Sequence, residues 1–262
     1  MTRVGFVGAG RMGAPMVKRL VEAGHDVAAI GRTDEKRRAV AELGATPVSD
    51  LTATDADVVI VCVFTDDQVK QLCLDGPLVE QMRPGATLIL HTTGSPRTAQ
   101  AIAARFGTIG VIDAPVSGGP HDIAAGRVTL FVGGDTEVVA GVQPILGAYG
   151  DPILHAGATG SGQLVKLVNN SLFAAQIGLV SEGVRLGARL GIEEGPLLSA
   201  LTHGSAQSRV LSLIAGAGSA DTFISAVGEF IGKDVAVVRK TVAELGGDLG
   251  VLDVLINAGN RA

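Results

Sequence analysis

The chain begins with a short apolar segment that runs directly into a glycine-rich turn. The segment Arg3–Val7 has the composition of a buried strand, and the next six residues follow the pattern G-x-G-x-x-G. In this pattern the first glycine permits a tight turn, the second lets a diphosphate approach the backbone, and the third lets the following helix pack close to the strand. A helix that starts here points unpaired N–H groups at the phosphates. The turn therefore predicts dinucleotide binding by Gly8, Ala9, Gly10, Arg11, Met12 and Gly13.

Apolar strands and helical segments alternate through the first half of the chain. We expect strands at Arg3–Val7, Asp26–Ile30, Val58–Val63, Thr87–Leu90, Gly110–Ile112 and Val128–Val132. We expect helices between them at Ala14–Ala23, Asp34–Leu43, Asp66–Met82 and Thr98–Phe106. This alternation predicts an α/β domain with a mainly parallel, doubly wound Rossmann sheet.

The pattern changes near residue 160, where a long apolar helix is expected from Gly162 to Leu190 and only helical segments follow. The glycine-bearing stretch Tyr149–Gly160 marks the boundary. We therefore predict a Rossmann domain over residues 1–158 and an all-helical domain over residues 159–262, joined by the long helix. Because this helix is apolar nearly all round, we expect it to pack against both the Rossmann domain and a partner subunit.

Composition and charge exclude several classes of partner. The chain has 21 basic and 26 acidic residues, a net charge of −5, no Trp and one Tyr, which argues against a nucleic-acid binder. Cys62 and Cys73 lack metal-ligand spacing and are expected to be reduced core residues of a cytoplasmic protein. We expect no metal site and no signal peptide. We also expect no membrane span, because the most apolar stretch, Leu172–Val180, is too short to cross a bilayer and the longer segment around it carries charged residues such as Lys166 and Glu182.

The residues after the second expected strand bear on the choice between NADP and NAD. An acidic residue at the end of this strand would bind the ribose 2′-OH of NAD. Here the sequence is Gly31-Arg32-Thr33, with Lys36 one turn into the next helix. Arg32 can pair with a 2′-phosphate, Thr33 can donate its hydroxyl, and Lys36 adds positive charge, so NADP is favoured. The alternative to cofactor binding is that the charged residues from Asp34 to Arg38 form an ordinary solvent-exposed run.

A second glycine-rich turn follows the strand that ends near Asp113. Its glycines leave backbone N–H groups that can line an anion site, and its serine adds a hydroxyl donor. This arrangement suits a substrate carboxylate, although a purely structural turn has the same composition. The residues concerned are Ser117, Gly118 and Gly119.

The long helix carries an amphipathic feature near its start. Lys166, Asn169 and Asn170 are spaced i, i+3 and i+4 and therefore share one helix face. Polar side chains among apolar neighbours are costly unless they face a polar cavity, and a lysine there can move protons. Lys233, in the segment Phe230–Asp234, either reaches the cofactor or is a surface residue.

Together these segments resemble the β-hydroxyacid dehydrogenase family. This family includes the 3-hydroxyisobutyrate dehydrogenases and the tartronate-semialdehyde and glyoxylate/succinic semialdehyde reductases, and it is related to 6-phosphogluconate dehydrogenase. The matching segments are, in order, Gly8–Gly13, Asp113–Gly119, Gly160–Asn170 and Lys233-Asp234. The resemblance implies an NADP-dependent enzyme that interconverts a small β-hydroxyacid and its semialdehyde or keto acid. It also implies a homodimer or homotetramer formed through the helical domain.

The resemblance further implies roles for individual residues. Lys166 matches the catalytic lysine, a general acid in reduction and a general base in oxidation. Asn170 matches a substrate-holding asparagine, with Asn169 beside it, and the Ser117–Gly119 turn matches the carboxylate-binding patch. The expected cofactor contacts, besides the first turn, are Arg32, Thr33, Lys36, Val63, Phe64, Thr65, Thr93 and Lys233.

The sequence differs from the usual family pattern in two places, and two alternative functions stand beside the one that the resemblance implies. The family usually has an acidic residue where His91 stands. Members also commonly continue beyond the position of Ala262 through a region that can contribute to the substrate pocket, so the resemblance does not specify the substrate or the closure of the pocket. His121, which follows the second turn, is also of interest. One alternative is an imine reductase-like enzyme, which typically has Asp or Tyr in place of Lys166. The other is a catalytically silent, NADP-binding dimer.

Overall fold

The computed structural model describes residues 1–51 and 55–259, apart from the side chains of Glu229 and Phe230. The chain divides into two compact units, Met1–Lys166 and Leu167–Ala262. The first unit contains every strand that the described residues form, and the second is helical.

One sheet organises the first unit. Its strands, within the described residues, are β1 Arg3–Val7, β2 Asp26–Ile30, β3 Thr46–Val48, β4 Val58–Val61, β5 Thr87–Leu90, β6 Gly110–Asp113, β7 Val116–Ser117, β8 Val128–Gly133 and β9 Gly150–Gly157. They lie in the order β3-β2-β1-β4-β5-β6-β8-β7, and β9 pairs with β8. The pairs from β3 to β6 are all parallel, whereas β8 is antiparallel to β6 and β7. This confirms the predicted α/β class with a mainly parallel, Rossmann-like sheet.

Helices connect the strands and make up the second unit. Those of the described residues are α1 Gly13–Glu22, α2 Asp34–Glu42, α3 Asp66–Lys70, α4 Pro96–Arg105, α5 Pro120–Ala124, α6 Thr136–Leu146, α7 Ser161–Arg189, α8 Glu194–Leu201, α9 Arg209–Ala217, α10 Ala220–Glu244 and α11 Val251–Gly259. The long helix α7 lies within one residue at each end of the predicted Gly162–Leu190 segment.

Both faces of the sheet are buried, which explains why its central strands are apolar throughout. Successive residues of a strand point to opposite faces. Accordingly, Ile60 belongs to one core cluster, while its neighbours Val59 and Val61 belong to another. The carboxyl ends of the parallel strands share one edge, and at such an edge doubly wound sheets bind their ligands.

Two predicted segments differ in the structure. The helix expected over Asp66–Met82 ends early: α3 stops at Lys70, and a π-helical turn, Gln71–Asp75, follows. The Gly76-Pro77 pair explains the end, because a residue before proline is driven out of the helical conformation. The stretch Tyr149–Gly160 is mostly strand β9 rather than a connecting segment. It pairs in parallel with β8, so it extends the sheet.

The second unit has its own apolar clusters. One joins α7, α9 and α10 through residues such as Ile177, Ile214 and Phe223, and another joins α7, α10 and α11. Among the described residues, α7 alone is a single helix long and apolar enough to span a membrane, and α9 with the first part of α10 would form a sharply bent second span. Half of the apolar window of α7 is buried inside the protein, as in core helices of this length.

Candidate active site

The first glycine-rich turn closes at the carboxyl end of β1. Gly8 has a φ of +99°, a conformation that L side chains rarely adopt. The N–H of Gly10 donates to the Gly8 carbonyl at 2.8 Å, and the N–H of Ala14 donates to the Gly10 carbonyl at 2.8 Å. A Cβ atom on Gly13 would lie 2.2 Å from the Gly8 carbonyl oxygen, so α1 can approach β1 only because residue 13 is glycine.

Open space borders this turn where a diphosphate would approach. A Cβ atom on Gly10 would meet no heavy atom within 4 Å. Helix α1 begins beside it, and the side chain of its N-cap residue, Met12, makes no capping hydrogen bond. The first N–H groups of a helix that lacks such a cap can donate to an anion. The turn therefore fits the diphosphate of a dinucleotide.

The loop after β2 presents several cationic side chains. Arg32 and Lys36 are exposed, and Thr33 caps α2 by accepting a hydrogen bond from the Lys36 N–H at 3.2 Å. Arg37 donates to the Gly31 carbonyl at 3.0 Å and to the Asp34 carboxylate at 2.5 Å. Arg37 thus orders the loop and pairs with Asp34. The acidic side chain of Glu35 is exposed in the same loop as Arg32 and Lys36.

The residues after β4 form an ordered loop. Thr65 and Gln68 make a capping box at α3: the Thr65 hydroxyl accepts from the Gln68 N–H, and Gln68 Oε1 accepts from the Thr65 N–H. Gln68 Oε1 also accepts from the Phe64 N–H at 2.9 Å. The Phe64 ring is half exposed at this edge of the sheet. A flat aromatic surface on a fixed backbone can support a ring that packs on it.

The end of β5 is joined to the end of β4 through Thr92. Its hydroxyl donates to the Val63 carbonyl and accepts from the Val63 N–H, each at 3.0 Å. Thr93, the predicted cofactor contact, follows and is partly exposed. Thr92 was not among the predicted site residues, although a Thr-Thr pair that follows an apolar strand after one histidine was its signal in the sequence.

A buried carboxylate holds the first turn of α7. Asp113 Oδ1 accepts from the Gly160 N–H at 2.6 Å, and Oδ2 accepts from the Gln163 N–H at 2.7 Å. These donors are among those that a helix N-terminus leaves without partners in the helix. Burial raises the pKa of Asp113, and the backbone hydrogen bonds from Gly160, Gln163 and Gly162 oppose that rise. Asp113 therefore supplies from β6 the cap that α7 needs.

His91, where the family resemblance led us to expect an acidic residue, is enclosed. Its Nδ1 lies 2.6 Å from the Ala114 carbonyl oxygen, and its Nε2 lies 2.8 Å from the Tyr149 hydroxyl. A carbonyl only accepts, so Nδ1 carries the proton and Nε2 accepts from Tyr149. Burial lowers the pKa of His91 to about 4, partly offset by the hydrogen bond to Ala114. The histidine is thus a neutral link between strand ends.

In the second glycine-rich turn, a nearby carboxylate already accepts a hydrogen bond from one of the backbone N–H groups. The Gly119 N–H donates to Asp122 Oδ2 at 2.7 Å, and Gly118 has a φ of +139°. A Cβ atom on Gly118 would lie 2.8 Å from the same carboxylate oxygen. His121 is exposed and lies 3.3 Å from Asp122. Because the Gly119 N–H is engaged, an anion at this turn would depend mainly on the Gly118 N–H and the Ser117 hydroxyl.

Lys166 lies one helical turn beyond Gln163 on α7. Its side chain is buried, with 8% of the residue exposed. Buried lysines are rare in proteins, and they occur where the ammonium group has polar surroundings. The position of this lysine is set by the first turn of α7, which Asp113 holds.

The helical unit brings four polar residues together. Asn170 Nδ2 donates to Asp234 Oδ2 at 3.0 Å, and Asn169 Nδ2 donates to Asn170 Oδ1 at 3.3 Å. Lys233 lies 3.5 Å from Asp234 Oδ1. Asn169, Asn170 and Lys233, which the sequence analysis selected from two distant segments, therefore form one cluster with Asp234. Among the described residues, no group of three or more His, Cys, Asp or Glu side chains could hold a metal ion.

Comparisons with known proteins identify the family. Residues 3–157 match the family model for the NAD binding domain of 6-phosphogluconate dehydrogenase. Residues 160–257 match the NAD-binding domain of NADP-dependent 3-hydroxyisobutyrate dehydrogenase. The chain belongs to the β-hydroxyacid dehydrogenase family. The resemblance drawn from the sequence is thereby confirmed.

Individual members of the β-hydroxyacid dehydrogenase family are similar along most of the chain. The NAD-dependent L-serine dehydrogenase of Pseudomonas aeruginosa is 34% identical over 78% of this chain and 70% of its own. A probable 3-hydroxyisobutyrate dehydrogenase of Mycobacterium tuberculosis is 33% identical over 77% of this chain and 69% of its own. The solved structure of M. tuberculosis 3-hydroxyisobutyrate dehydrogenase with L-serine covers all of this chain and 93% of its own, with a TM-score of 0.87 and 27% identity. As a member of this family, the chain has NAD(P)-binding domains and is related to oxidoreductases named for small hydroxyacids.

Proposed function

We propose that this protein is an NADP-dependent oxidoreductase that interconverts a small β-hydroxyacid and its semialdehyde or keto acid. The observation that carries the proposal is the placement of buried Lys166 on the first turns of α7. The start of that helix is bonded to residues at the carboxyl ends of β5 and β6. Ligands of doubly wound sheets bind at this edge.

The residues that would hold the cofactor lie at the same edge. The Gly8–Gly13 turn and the N-terminus of α1 would bind the diphosphate, and the residues Val63, Phe64, Thr65 and Thr93 would border the nicotinamide. The cofactor, when bound, supplies or accepts the hydride. Arg32, Thr33 and Lys36 would bind a ribose 2′-phosphate, which favours NADP over NAD. Lys233 would add a further contact.

Lys166 would transfer the proton to or from the substrate oxygen. In reduction the substrate C=O bond becomes a C–O single bond, and the Lys166 ammonium group donates a proton to that oxygen. In oxidation the neutral amine accepts the hydroxyl proton. General acid–base catalysis of this kind contributes about 10²–10⁴-fold to a rate. The carbonyl therefore need not carry a full negative charge as it is reduced.

The substrate class is inferred from two sets of donors to which the family resemblance assigns substrate binding. The Ser117 hydroxyl and the Gly118 N–H would bind a carboxylate, with Gly119 shaping the turn. Asn170, oriented by Asp234 and flanked by Asn169, would bind the substrate by hydrogen bonds through its amide. A small carboxylated aldehyde, keto acid or hydroxyacid satisfies both sets of donors.

A substrate screen followed at the nicotinamide absorbance tests this proposal. Semialdehydes and keto acids are assayed with NADPH and NADH in parallel, and 3-hydroxyisobutyrate and L-serine with NADP and NAD. Matched aldehydes that lack the carboxylate serve as controls. Turnover that requires the carboxylate and prefers NADPH supports the proposal. Turnover of imines alone, or cofactor binding without any turnover, contradicts it.

We also propose a homodimer or homotetramer formed through the long helix. Leucine and valine side chains are exposed along one side of α7, at Leu164, Val168, Leu172, Leu179 and Leu186. An exposed apolar stripe of this length is typical of a protein interface. In sedimentation velocity, Leu179→Glu is expected to shift the protein toward a monomer. Leu213→Glu, at another exposed leucine that lies on α9, is expected to leave the assembly intact.

A further inference from the structure

The side chain of Gln163 bridges α7 and the loop after β5. Gln163 Nε2 donates to the Thr92 carbonyl at 2.8 Å, and Gln163 Oε1 accepts from the Gly94 N–H at 2.9 Å. The residue is 3% exposed. Both ends of the amide therefore bond to the backbone on either side of Thr93, so the side chain fits this loop in one orientation only.

The bridge continues into the neighbouring strands. The Gln163 N–H donates to Asp113 at the end of β6, and the Thr92 hydroxyl is paired with the Val63 backbone at the end of β4. Gln163 thus belongs to one hydrogen-bonded series that joins the ends of three adjacent parallel strands to the start of α7. Buried polar networks in which every member is satisfied hold a single arrangement rigidly.

We infer that Gln163 is a positioning residue that fixes the Thr92–Gly94 loop relative to Lys166. Lys166 follows Gln163 by three residues, so both lie on the same face of α7 within one turn. A shift or rotation of the start of α7 against the loop would break two buried hydrogen bonds at once. This inference rests on the proposed function, in which Thr93 borders the nicotinamide and Lys166 moves the proton.

The expected consequence is on reaction geometry rather than on binding. Reacting groups need near-contact alignment, and a displacement of about 1 Å can reduce a rate by about 100-fold. Loss of the bridge should therefore lower kcat more than it weakens cofactor binding. A residue that only stabilises the fold would instead lower the melting temperature and leave kcat of the folded protein unchanged.

Three variants separate these two roles. Gln163→Leu removes both side-chain hydrogen bonds with a similar volume. Gln163→Glu keeps the acceptor for the Gly94 N–H but, when ionised, sets a second oxygen against the Thr92 carbonyl. Ser181→Ala is the matched control, since Ser181 is equally buried on the same helix and donates to the Ile177 carbonyl at 2.9 Å.

For Gln163→Leu we expect kcat to fall about 10–100-fold, while the cofactor Kd changes by less than about threefold. Ser181→Ala should keep kcat within about twofold. Gln163→Glu should regain activity as the pH falls, because a protonated carboxyl can donate to Thr92 as the amide does and burial raises its pKa. A folded Gln163→Leu protein with parental kcat overturns the inference. If that variant does not fold, a Gln163→Glu pH profile that matches the parent overturns it.

Hydrogen exchange at the Gly94 amide measures whether its hydrogen bond to Gln163 is intact, and this measurement does not depend on catalysis. We expect this amide to exchange at least about tenfold faster in Gln163→Leu than in the parent or in Ser181→Ala. If the parent turns over no substrate of the screen, the proposed function fails, and this exchange rate alone decides whether Gln163 fixes the loop. Equal exchange in all three proteins overturns the inference.

Discussion

The carboxylate of Asp113 accepts a hydrogen bond from the backbone N–H of Gln163, 50 residues later, at 2.7 Å. A strand end thereby caps the helix that carries Lys166. The position of the lysine is consequently tied to the sheet rather than to a flexible loop. Sites held by regular elements keep their geometry better than sites on loops.

Asp113→Asn should destabilise the protein. An amide offers one acceptor where the carboxylate offers two, so one buried N–H of the pair on Gly160 and Gln163 loses its partner. The expected loss is about 1–3 kcal/mol in the free energy of unfolding, measured by urea denaturation. Asp26→Asn, at an exposed position that starts β2, is the control and should stay within about 0.5 kcal/mol. Equal stability of the two variants would contradict the capping role.

The buried imidazole of His91 predicts a pH dependence of stability. The pKa of His91 is lowered to about 4 in the folded protein, against 6.5 as its ordinary value. Between these values the unfolded state binds a proton that the folded state does not, so stability falls as the pH drops from about 6.5 to about 4. Each pKa unit corresponds to about 1.4 kcal/mol, so the shift gives an upper limit of about 3.5 kcal/mol.

The matched variants for this prediction are His91→Gln and His121→Gln. Glutamine at position 91 can donate to Ala114 and accept from Tyr149 without titrating, so the slope between pH 4 and 6.5 should decrease. His121 is 81% exposed in its side chain, and its replacement should leave the slope unchanged. Denaturation at a series of pH values gives the slope of stability against pH for both variants. Identical slopes in the parent and in His91→Gln would show that His91 does not cause the pH dependence.

Local patterns predicted much of the fold. The strands β1, β2 and β5 begin and end where predicted, because each is a short apolar run bounded by charges or glycine. Strand β9 was instead assigned to the domain boundary, because the stretch Tyr149–Gly160 bears glycines and leads into the long helix. Its order depends on pairing with β8, which lies about 20 residues earlier in the chain and leaves no local signal.

Spacing alone indicated candidate site residues only where these residues lie close together in the sequence, whereas distant residues such as Lys233 were selected through the family resemblance. The Gly8–Gly13 turn and the Lys166–Asn170 face are local patterns of this kind. The contacts of Gln163 with Thr92 and Gly94, and of His91 with Tyr149, join residues that are 58 to 71 positions apart. Such pairs are set by the topology of the sheet, so a single sequence could not reveal them.

The choice between NADP and NAD can be tested at Arg32. Arg32→Asp should weaken NADPH binding at least about tenfold and leave NADH binding nearly unchanged, since a carboxylate repels a 2′-phosphate but can accept from a 2′-OH. Fluorescence titration gives the dissociation constants for NADPH and NADH, and the ratio of the two constants measures the cofactor preference. Arg127→Asp, an exposed arginine elsewhere in the same unit, changes the net charge equally and should leave the ratio as it is. An unchanged ratio in Arg32→Asp would refute the NADP proposal.

Two substitutions in the Gly8–Gly13 turn can distinguish an effect on folding from an effect on cofactor binding. A Cβ atom at Gly10 meets nothing within 4 Å, whereas one at Gly13 meets the Gly8 carbonyl. Gly10→Ala should therefore keep its melting temperature without cofactor and bind cofactor at least about tenfold more weakly. Gly13→Ala should lose about 1–3 kcal/mol of stability through overpacking. Tight cofactor binding by Gly10→Ala would place the diphosphate elsewhere.

Lys166→Met tests the proton-transfer role directly. Methionine keeps most of the buried aliphatic volume and removes the ammonium group, so the fold should persist while kcat falls about 10²–10⁴-fold. The affinity for NADPH should change little, because the role concerns the substrate oxygen. Lys240→Met, at an exposed position on α10, controls for the loss of one positive charge and should retain full activity. A Lys166→Met protein that binds NADPH and keeps a kcat within about threefold of the parent would require another proton donor, and the mechanism proposed for α7 would then be wrong.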